Sequence, residues 1–316
     1  MPVSRIALEE HFWTSELREL RRGHDVLSEP QLCRRLTDLG ELRIAEMDAA
    51  GIDLQVISHV EPATQNFAPD AAVRLARAAN DLLHQAIVAH PTRFAGFAAL
   101  PTPDPLAAAL ELERAVGALG FKGAMVHGLT RGRFLDEKPF WPIFEAAQSL
   151  DVPIYLHPAM PHPDAAKPYF APYEELQGSA WGFEIDTSCH FLRILFAGAF
   201  DAHPKLKIIL GHLGEGLPFG MHRLNDHSVV AAKRRGLKRA PIDYLRDNLI
   251  VTTSGNWYEP AFVCTLMALG ADNILFAIDW PYESNTAGME FLRKLSISDA
   301  DREKIAHLNA ARVLKL

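Results

Sequence analysis

Along the chain, short runs of apolar and β-branched residues alternate with longer stretches in which apolar positions recur every three or four residues. The short runs fall at 4–9 (SRIALE), 53–59 (DLQVISH), 93–99 (RFAGFAA), 122–127 (KGAMVH), 152–157 (VPIYLH), 206–211 (LKIILG), 248–253 (NLIVTT) and 273–278 (NILFAI), and each reads as a buried strand. Between them, residues 70–90 place Val73, Leu75, Ala76, Ala79, Leu82, Leu83 and Ile87 on one helical face, with Asp70 after Pro69 in an acidic first turn. Residues 104–118 read as another helix, with Asp104 as N-cap, Pro105 at the first helical position and Gly117 or Gly120 as the stop. Eight strands alternating with helices, with no break in composition, predict an α/β fold: a parallel sheet closed into a (β/α)8 TIM barrel, one domain over 1–316.

Two intervals are too long for plain connections: 10–30 after the first strand and 158–180 after the fifth, the latter rich in Pro, His and aromatic residues. Both are predicted as insertions at the C-terminal face of the barrel, where such folds keep their chemistry.

Composition narrows the partner. At 48% apolar and 22% charged residues the chain is globular, and 39 acidic against 32 basic residues, net −7, argue against nucleic acid or an anionic membrane surface. A small molecule is the expected partner. Cys33, Cys189 and Cys264 are odd in number and far apart, which excludes a disulfide framework and a C-x-x-C zinc site and predicts a reducing cytoplasm. Glu9 and Glu10 stand where a signal peptide needs its apolar core, and no run of 18 apolar residues occurs, so neither a leader nor a membrane span is predicted.

The chemistry lies in what falls at the strand ends. Glu9 and His11 end the first strand, His157 the fifth, His212 follows the sixth and Asp279 the eighth. Residues i and i+2 of a strand face the same way, so Glu9 and His11 point together into the barrel mouth while Glu10 turns away. One histidine among 14 is ordinarily a satisfied polar cap. Glu9, His11, His157 and Asp279 arriving together from three strand ends form a mixed nitrogen and oxygen set suited to one divalent ion with open positions. Trp257, Trp280 and Tyr282 are candidates to wall a bound small molecule, while His190, in mid-helix, reads as structural.

The segments ALEEHF (7–12), YLHP (155–158), IILGHLGEGLPF (208–219), TTSGN (252–256) and ILFAIDWPYE (274–283) resemble the amidohydrolase superfamily. Within it they are most similar to the metal-dependent, non-oxidative aromatic acid decarboxylases, such as γ-resorcylate and 2,3-dihydroxybenzoate decarboxylases, related to the aminocarboxymuconate semialdehyde decarboxylases. The resemblance runs nearly end to end, through SISDADREKIAHLNAARVLKL. It implies Glu9, His11, His157 and Asp279 as metal ligands, His212 as a catalytic residue paired with Glu215, and Asp279 as the acid that protonates the ring. It places Arg223 near the anionic end of the substrate, puts His127 where resorcylate enzymes carry a substrate-touching asparagine, and implies a homodimer or homotetramer. Binuclear members carry a bridging lysine at the end of the fourth strand. Here that place reads MVHG, so one metal is expected. Glu9 is a harder ligand than the histidine of zinc-preferring relatives and moves the preference toward Mn2+ or Mg2+, with Zn2+ still compatible. The implied reaction is reversible loss of CO2 from an ortho-hydroxy aromatic carboxylic acid. The same metal could instead activate water against a lactone, ester or amide. A non-catalytic binding barrel would have no use for His212 beside Glu215.

Overall fold

A computed structural model of the chain describes residues 5–20, 29–61 and 63–316. Positions 21–28 of the first long interval, His24 among them, and Ser4 of the first predicted strand lie outside the described residues. The strands are β1 (Ile6–Phe12), β2 (Leu54–His59), β3 (Phe94–Gly96), β4 (Ala98–Ala99), β5 (Ala124–His127), β6 (Ile154–His157), β7 (Ile208–Leu210), β8 (Leu249–Thr252) and β9 (Ile274–Leu275). Each falls on one of the eight predicted runs, the third of which is split at Phe97 into β3 and β4.

All pairings are parallel and in chain order, in two ladders, β1-β2-β3 and β4-β5-β6-β7-β8-β9. Two seams join them. Phe97 N donates to Ile57 O (2.9 Å) at one, and at the other Leu8 pairs with Ala277 through Leu8 N to Phe276 O (3.1 Å) and Ile278 N to Leu8 O (3.4 Å). Alternation assigns the two faces. Ile6, Leu8, Val56, Phe97, Met125, Tyr155, Ile209, Ile250 and Ala277 fill the barrel interior, while Ile57, Val126, Leu156, Leu210 and Val251 face the helices. Strands buried on both faces are why the runs read as continuously apolar.

The helix Pro69–Ala89 buries Ala72, Leu75, Ala76, Ala79, Leu83 and Ala86. Leu82, expected on that face, is exposed instead. Helix Pro105–Gly117 starts as predicted, with the Asp104 carboxylate accepting from Ala107 N at 3.1 Å. The interval 158–180 is partly structured, containing helix Pro163–Phe170 and a 3-10 turn at Glu174–Leu176. Among the described residues no helix is long and apolar enough to cross a membrane.

Candidate metal centre

β1 carries a register shift between Ala7 and Glu10, and Glu9 takes φ 60° there. Asp279 has φ 80°. Left-handed backbone at a non-glycine residue costs on the order of 1 to 2 kcal/mol and persists only where its surroundings impose it. The result is a convergence of four ligand atoms, from Glu9, His11, His157 and Asp279, all within 4.8 Å of one another. Glu9 Oε1, His11 Nε2, His157 Nε2 and Asp279 Oδ1 are each buried without a hydrogen bond. Unsatisfied buried polar atoms are costly, and four aimed at one point need a common partner. His11 Nε2 lies 3.0 Å from Asp279 Oδ1 and His157 Nε2 lies 3.2 Å from Glu9 Oε1. Two ligands about 2.1 Å from one ion and at right angles are about 3.0 Å apart, so the spacing fits a single divalent cation.

The surroundings orient each ligand. His157 Nδ1 donates to Pro158 O at 2.7 Å and His11 Nδ1 faces Ser58 Oγ at 3.4 Å, which leaves both Nε2 lone pairs directed inward. The other Glu9 oxygen, Oε2, accepts from Tyr155 Oη and from Thr252 Oγ1 (3.3 Å). Tyr155 and Thr252 are themselves 2.8 Å apart, and Thr252 continues to Ser254 (3.0 Å), whose hydroxyl accepts from His212 N (3.1 Å). Gly211 makes the approach possible, because a Cβ there would lie 2.9 Å from Glu9 Oε2. Burial alone would raise the Glu9 carboxyl, but the proximity of the His212, His157 and His11 rings overcomes it and holds Glu9 well below the ordinary carboxylate range. Burial and the adjacent Glu9 charge push the Tyr155 phenol well up, so it remains a donor.

After β7 the segment GHLGEG winds left-handed, with positive φ at His212, Leu213, Gly214, Glu215 and Gly216. Gly214 is required by contact as well as by φ, since a Cβ would meet Val251 Cγ1 at 2.9 Å. The turn brings His212 Nδ1 to 2.7 Å from Glu215 Oε1 and leaves Nε2 3.6 Å from Glu9 Oε1 and 3.8 Å from Asp279 Oδ2. Glu215 is buried, and the His212 side chain is 24% exposed. Desolvation works against the imidazolium, but the Glu215 and Glu9 charges and the hydrogen bond that Glu215 accepts raise His212 well above its usual value.

Of the remaining residues singled out in the sequence, His127 and Tyr282 join the site. The His127 ring lies 4.8 Å from that of His157, with Nε2 donating to His59 O at 2.9 Å, and burial lowers its basicity. The Tyr282 ring, 42% exposed, sits edge-on to His11 at 5.9 Å. Arg223 is exposed on helix Leu217–Arg234, and no hydrogen bond or ion pair ties it to the cluster. Trp280 does not wall the mouth. It is buried behind the strand ends, its Nε1 donating to Glu46 Oε2 at 2.7 Å. Trp257 lies over Gly288. His190 is structural, its Nε2 accepting from Leu135 N at 2.8 Å. Sequence reasoning missed Tyr155, Thr252, Ser254 and Ser58. A signal for Tyr155 was present: it stands two residues before His157, on the same face of β6.

Known proteins are similar to this chain over nearly its whole length. The chain is 41% identical over 322 residues to γ-resorcylate decarboxylase from Polaromonas sp. strain JS666, covering 99% of this chain and 98% of that one. Among solved structures it is similar to a 2,6-dihydroxybenzoate decarboxylase in complex with 2,6-dihydroxybenzoate (39% identity, TM-score 0.92, 99% and 100% of the two chains). It is equally similar to the dihydroxybenzoic acid decarboxylase of Polaromonas sp. JS666, with bound manganese and the inhibitor 2-nitroresorcinol (41%, 0.92, 99% and 97%). Matching from residue 10 to residue 316, this chain belongs to the amidohydrolase family Amidohydro_2.

Proposed function

We propose that the protein is a metal-dependent, non-oxidative decarboxylase of ortho-hydroxy aromatic carboxylic acids, with a 2,6-dihydroxybenzoate type of substrate. The observation that carries this reading is the division of Asp279: Oδ1 belongs to the four unsatisfied ligand atoms, while Oδ2 faces His212 Nε2 at 3.8 Å. Glu9, His11, His157 and Asp279 would hold one ion, Mn2+ by analogy with the manganese-bound relative, and Zn2+ or Mg2+ as alternatives that metal analysis separates. When bound, the ion would supply a positive centre that holds the carboxylate and the neighbouring phenolate and fixes the ring in place.

The chain's own groups handle the proton. Asp279 Oδ2 delivers it to the ring carbon that bears the carboxylate, since direct loss of CO2 would leave an unstabilised aryl carbanion. His212 Nε2 resupplies Asp279, and Glu215 Oε1 holds the imidazole in the required tautomer and balances its charge. The carbon–carboxylate bond then breaks, its electron pair restores the aromatic ring, and CO2 leaves. Tyr282 flanks the ring and His127 faces one of its substituents. Among the described residues no contact supports a role for Arg223.

We read the chain as one domain. A homodimer or homotetramer is supported by aromatic side chains left in solvent, Tyr169 at 80% and Phe219 at 89% exposure, with light scattering as the check. A cytoplasmic location is supported by three cysteines that form no disulfide, with cell fractionation as the check.

The function is tested with Mn2+-loaded protein on 2,6-dihydroxybenzoate, 2,3-dihydroxybenzoate, 2-hydroxybenzoate and 4-hydroxybenzoate, scoring CO2. The ortho-hydroxy acids turn over and the para isomer fails by orders of magnitude in kcat, because its hydroxyl still releases electrons to the carboxyl-bearing carbon but cannot reach the ion, so chelation and the orientation it gives are lost. Turnover of esters or lactones, with no CO2 from any ortho-hydroxy acid, would replace decarboxylation with hydrolysis.

A further inference from the structure

The face of β1 that points away from the metal centre carries a buried carboxyl group that the reaction does not use. Glu10 stands between Glu9 and His11 and is fully buried. Its carboxylate accepts from Ile278 N (Oε1, 3.2 Å) and Trp280 N (Oε2, 3.3 Å), the two residues flanking Asp279. One side chain thus ties the strand bearing two ligands to the backbone on both sides of a third. Behind it, Gln55 on β2 donates to Glu10 Oε2 (3.1 Å) and accepts from Arg43 Nη1 (3.2 Å). Arg43, also fully buried, donates through Nη2 to the backbone oxygen of His11 (2.5 Å) and through Nε to Asp38 O (3.1 Å), with its guanidinium 4.1 Å over the Trp280 ring.

The seam at this point is irregular. β9 spans only Ile274–Leu275, and beyond it β1 meets that edge through the Leu8–Ala277 bridge, Ile278 N to Leu8 O (3.4 Å) and His11 N to Trp280 O (2.7 Å), so the Glu10 carboxyl adds side-chain bonds where the regular ladder has ended. Glu9 and Asp279 also hold left-handed backbone that an unconstrained chain would relax. Outside the four ligands, then, a buried network touches the backbone of His11 and of both neighbours of Asp279.

We propose that Glu10, Gln55 and Arg43 form a positioning latch that sets the separation between the β1 ligands and Asp279, and so sets the affinity of the centre for its divalent ion. The proposal rests on the metal centre described above. Residues that orient ligands typically change metal affinity 10- to 100-fold when replaced.

The test is Mn2+ binding by metal-stripped full-length protein, followed through the EPR signal of free Mn2+, with the melting temperature measured on the same samples. Glu10→Gln is expected to raise the Mn2+ Kd about 10- to 100-fold, and Gln55→Met and Arg43→Met by about 10-fold. Arg43→Lys does not restore affinity, because one ammonium cannot span His11 O, Gln55 Oε1 and Asp38 O. The control for a merely structural role is Glu111→Gln. Glu111 is also buried, between two outer helices and bonded to Asn80 and Arg114, without contact to a ligand. It is expected to lower the melting temperature and leave Kd within about twofold, against the 10-fold or greater effect of the latch. If Glu10→Gln does not fold, Gln55→Met, which removes two hydrogen bonds and keeps the volume, carries the test. Unchanged Kd in the latch variants, or an equal loss of affinity in Glu111→Gln, overturns the latch while leaving the metal centre standing. Failure of the unaltered protein to bind Mn2+ removes the centre and the latch with it.

Discussion

Removing one oxygen atom from Tyr155 tests how this fold prepares a carboxylate for a cation. In Tyr155→Phe the ring keeps its place in the barrel interior beside Phe97, but Glu9 Oε2 loses the Tyr155 hydroxyl and retains only Thr252 Oγ1 at 3.3 Å. Tyr155, Glu9 and Thr252 are all fully buried, so water does not replace the lost donor. A hydrogen bond to a buried charge contributes about 1.5 to 3 kcal/mol. That loss raises the proton affinity of Glu9 and loosens the rotamer that aims Oε1 at the ion. At 1.36 kcal/mol per tenfold, the Mn2+ Kd should rise roughly 10- to 150-fold. Mn2+ titration of metal-stripped wild-type and variant protein at pH 7.5 measures it. Tyr244→Phe is the matched control: Tyr244 is also buried, and its hydroxyl donates to Asp201 (2.6 Å) far from the centre. It should cost stability and leave the Mn2+ Kd unchanged. An unchanged Kd in Tyr155→Phe, or an equal change in both variants, would refute the claim that the barrel interior preorganises Glu9.

Metal analysis of active protein should find one divalent ion per chain, with activity lost to a chelator and restored by Mn2+; two equivalents would break the single-site assignment. His157→Ala should lose metal and activity together, whereas His212→Ala should keep the metal and lose about 10²- to 10⁴-fold in kcat. An empty site in His212→Ala would make His212 a ligand. The third concerns pH: burial raises the Asp186 carboxyl from 3.8 to about 6. The folded chain therefore binds that proton more tightly than the unfolded chain. The resulting stabilisation is complete below about pH 4 and is lost as pH rises through about 6, for a cost on the order of 3 kcal/mol. Asp186→Asn should accordingly be more stable than wild type in urea at pH 8 and gain nothing at pH 4; a gain independent of pH would rule out the carboxyl charge as the cause.

The strand runs, the helix starts at Pro69 and Pro105, and the convergence of Glu9, His11, His157 and Asp279 were all legible in the sequence. Alternation is a local rule and sets the direction of His157, two residues after Tyr155, but in β1 Ile6 and Leu8 already face the interior, and it is the register shift at Glu9 that turns Glu9 and His11 to the same side. The pairing of His212 with Glu215 came from the resemblance of GHLGEG, because a run of left-handed residues has no hydrophobic period to betray it. Other features had no local signature at all. Glu10 reads as the outward partner of Glu9, yet it is buried, because in a barrel wrapped by helices the outward face of a strand is interior too. Whether a polar side chain there is compensated depends on donors from Ile278, Trp280 and Gln55, between 45 and 270 residues away along the chain. Arg43 carries the same lesson: in sequence it is one more charged residue between the first two strands, and only the tertiary fold brings the carbonyl of His11 and the ring of Trp280 against it. Local periodicity determined which residues could reach the metal centre. The tertiary fold decided how firmly they are held, because buried hydrogen bonds are satisfied by whatever the chain brings near in space rather than by its neighbours in sequence.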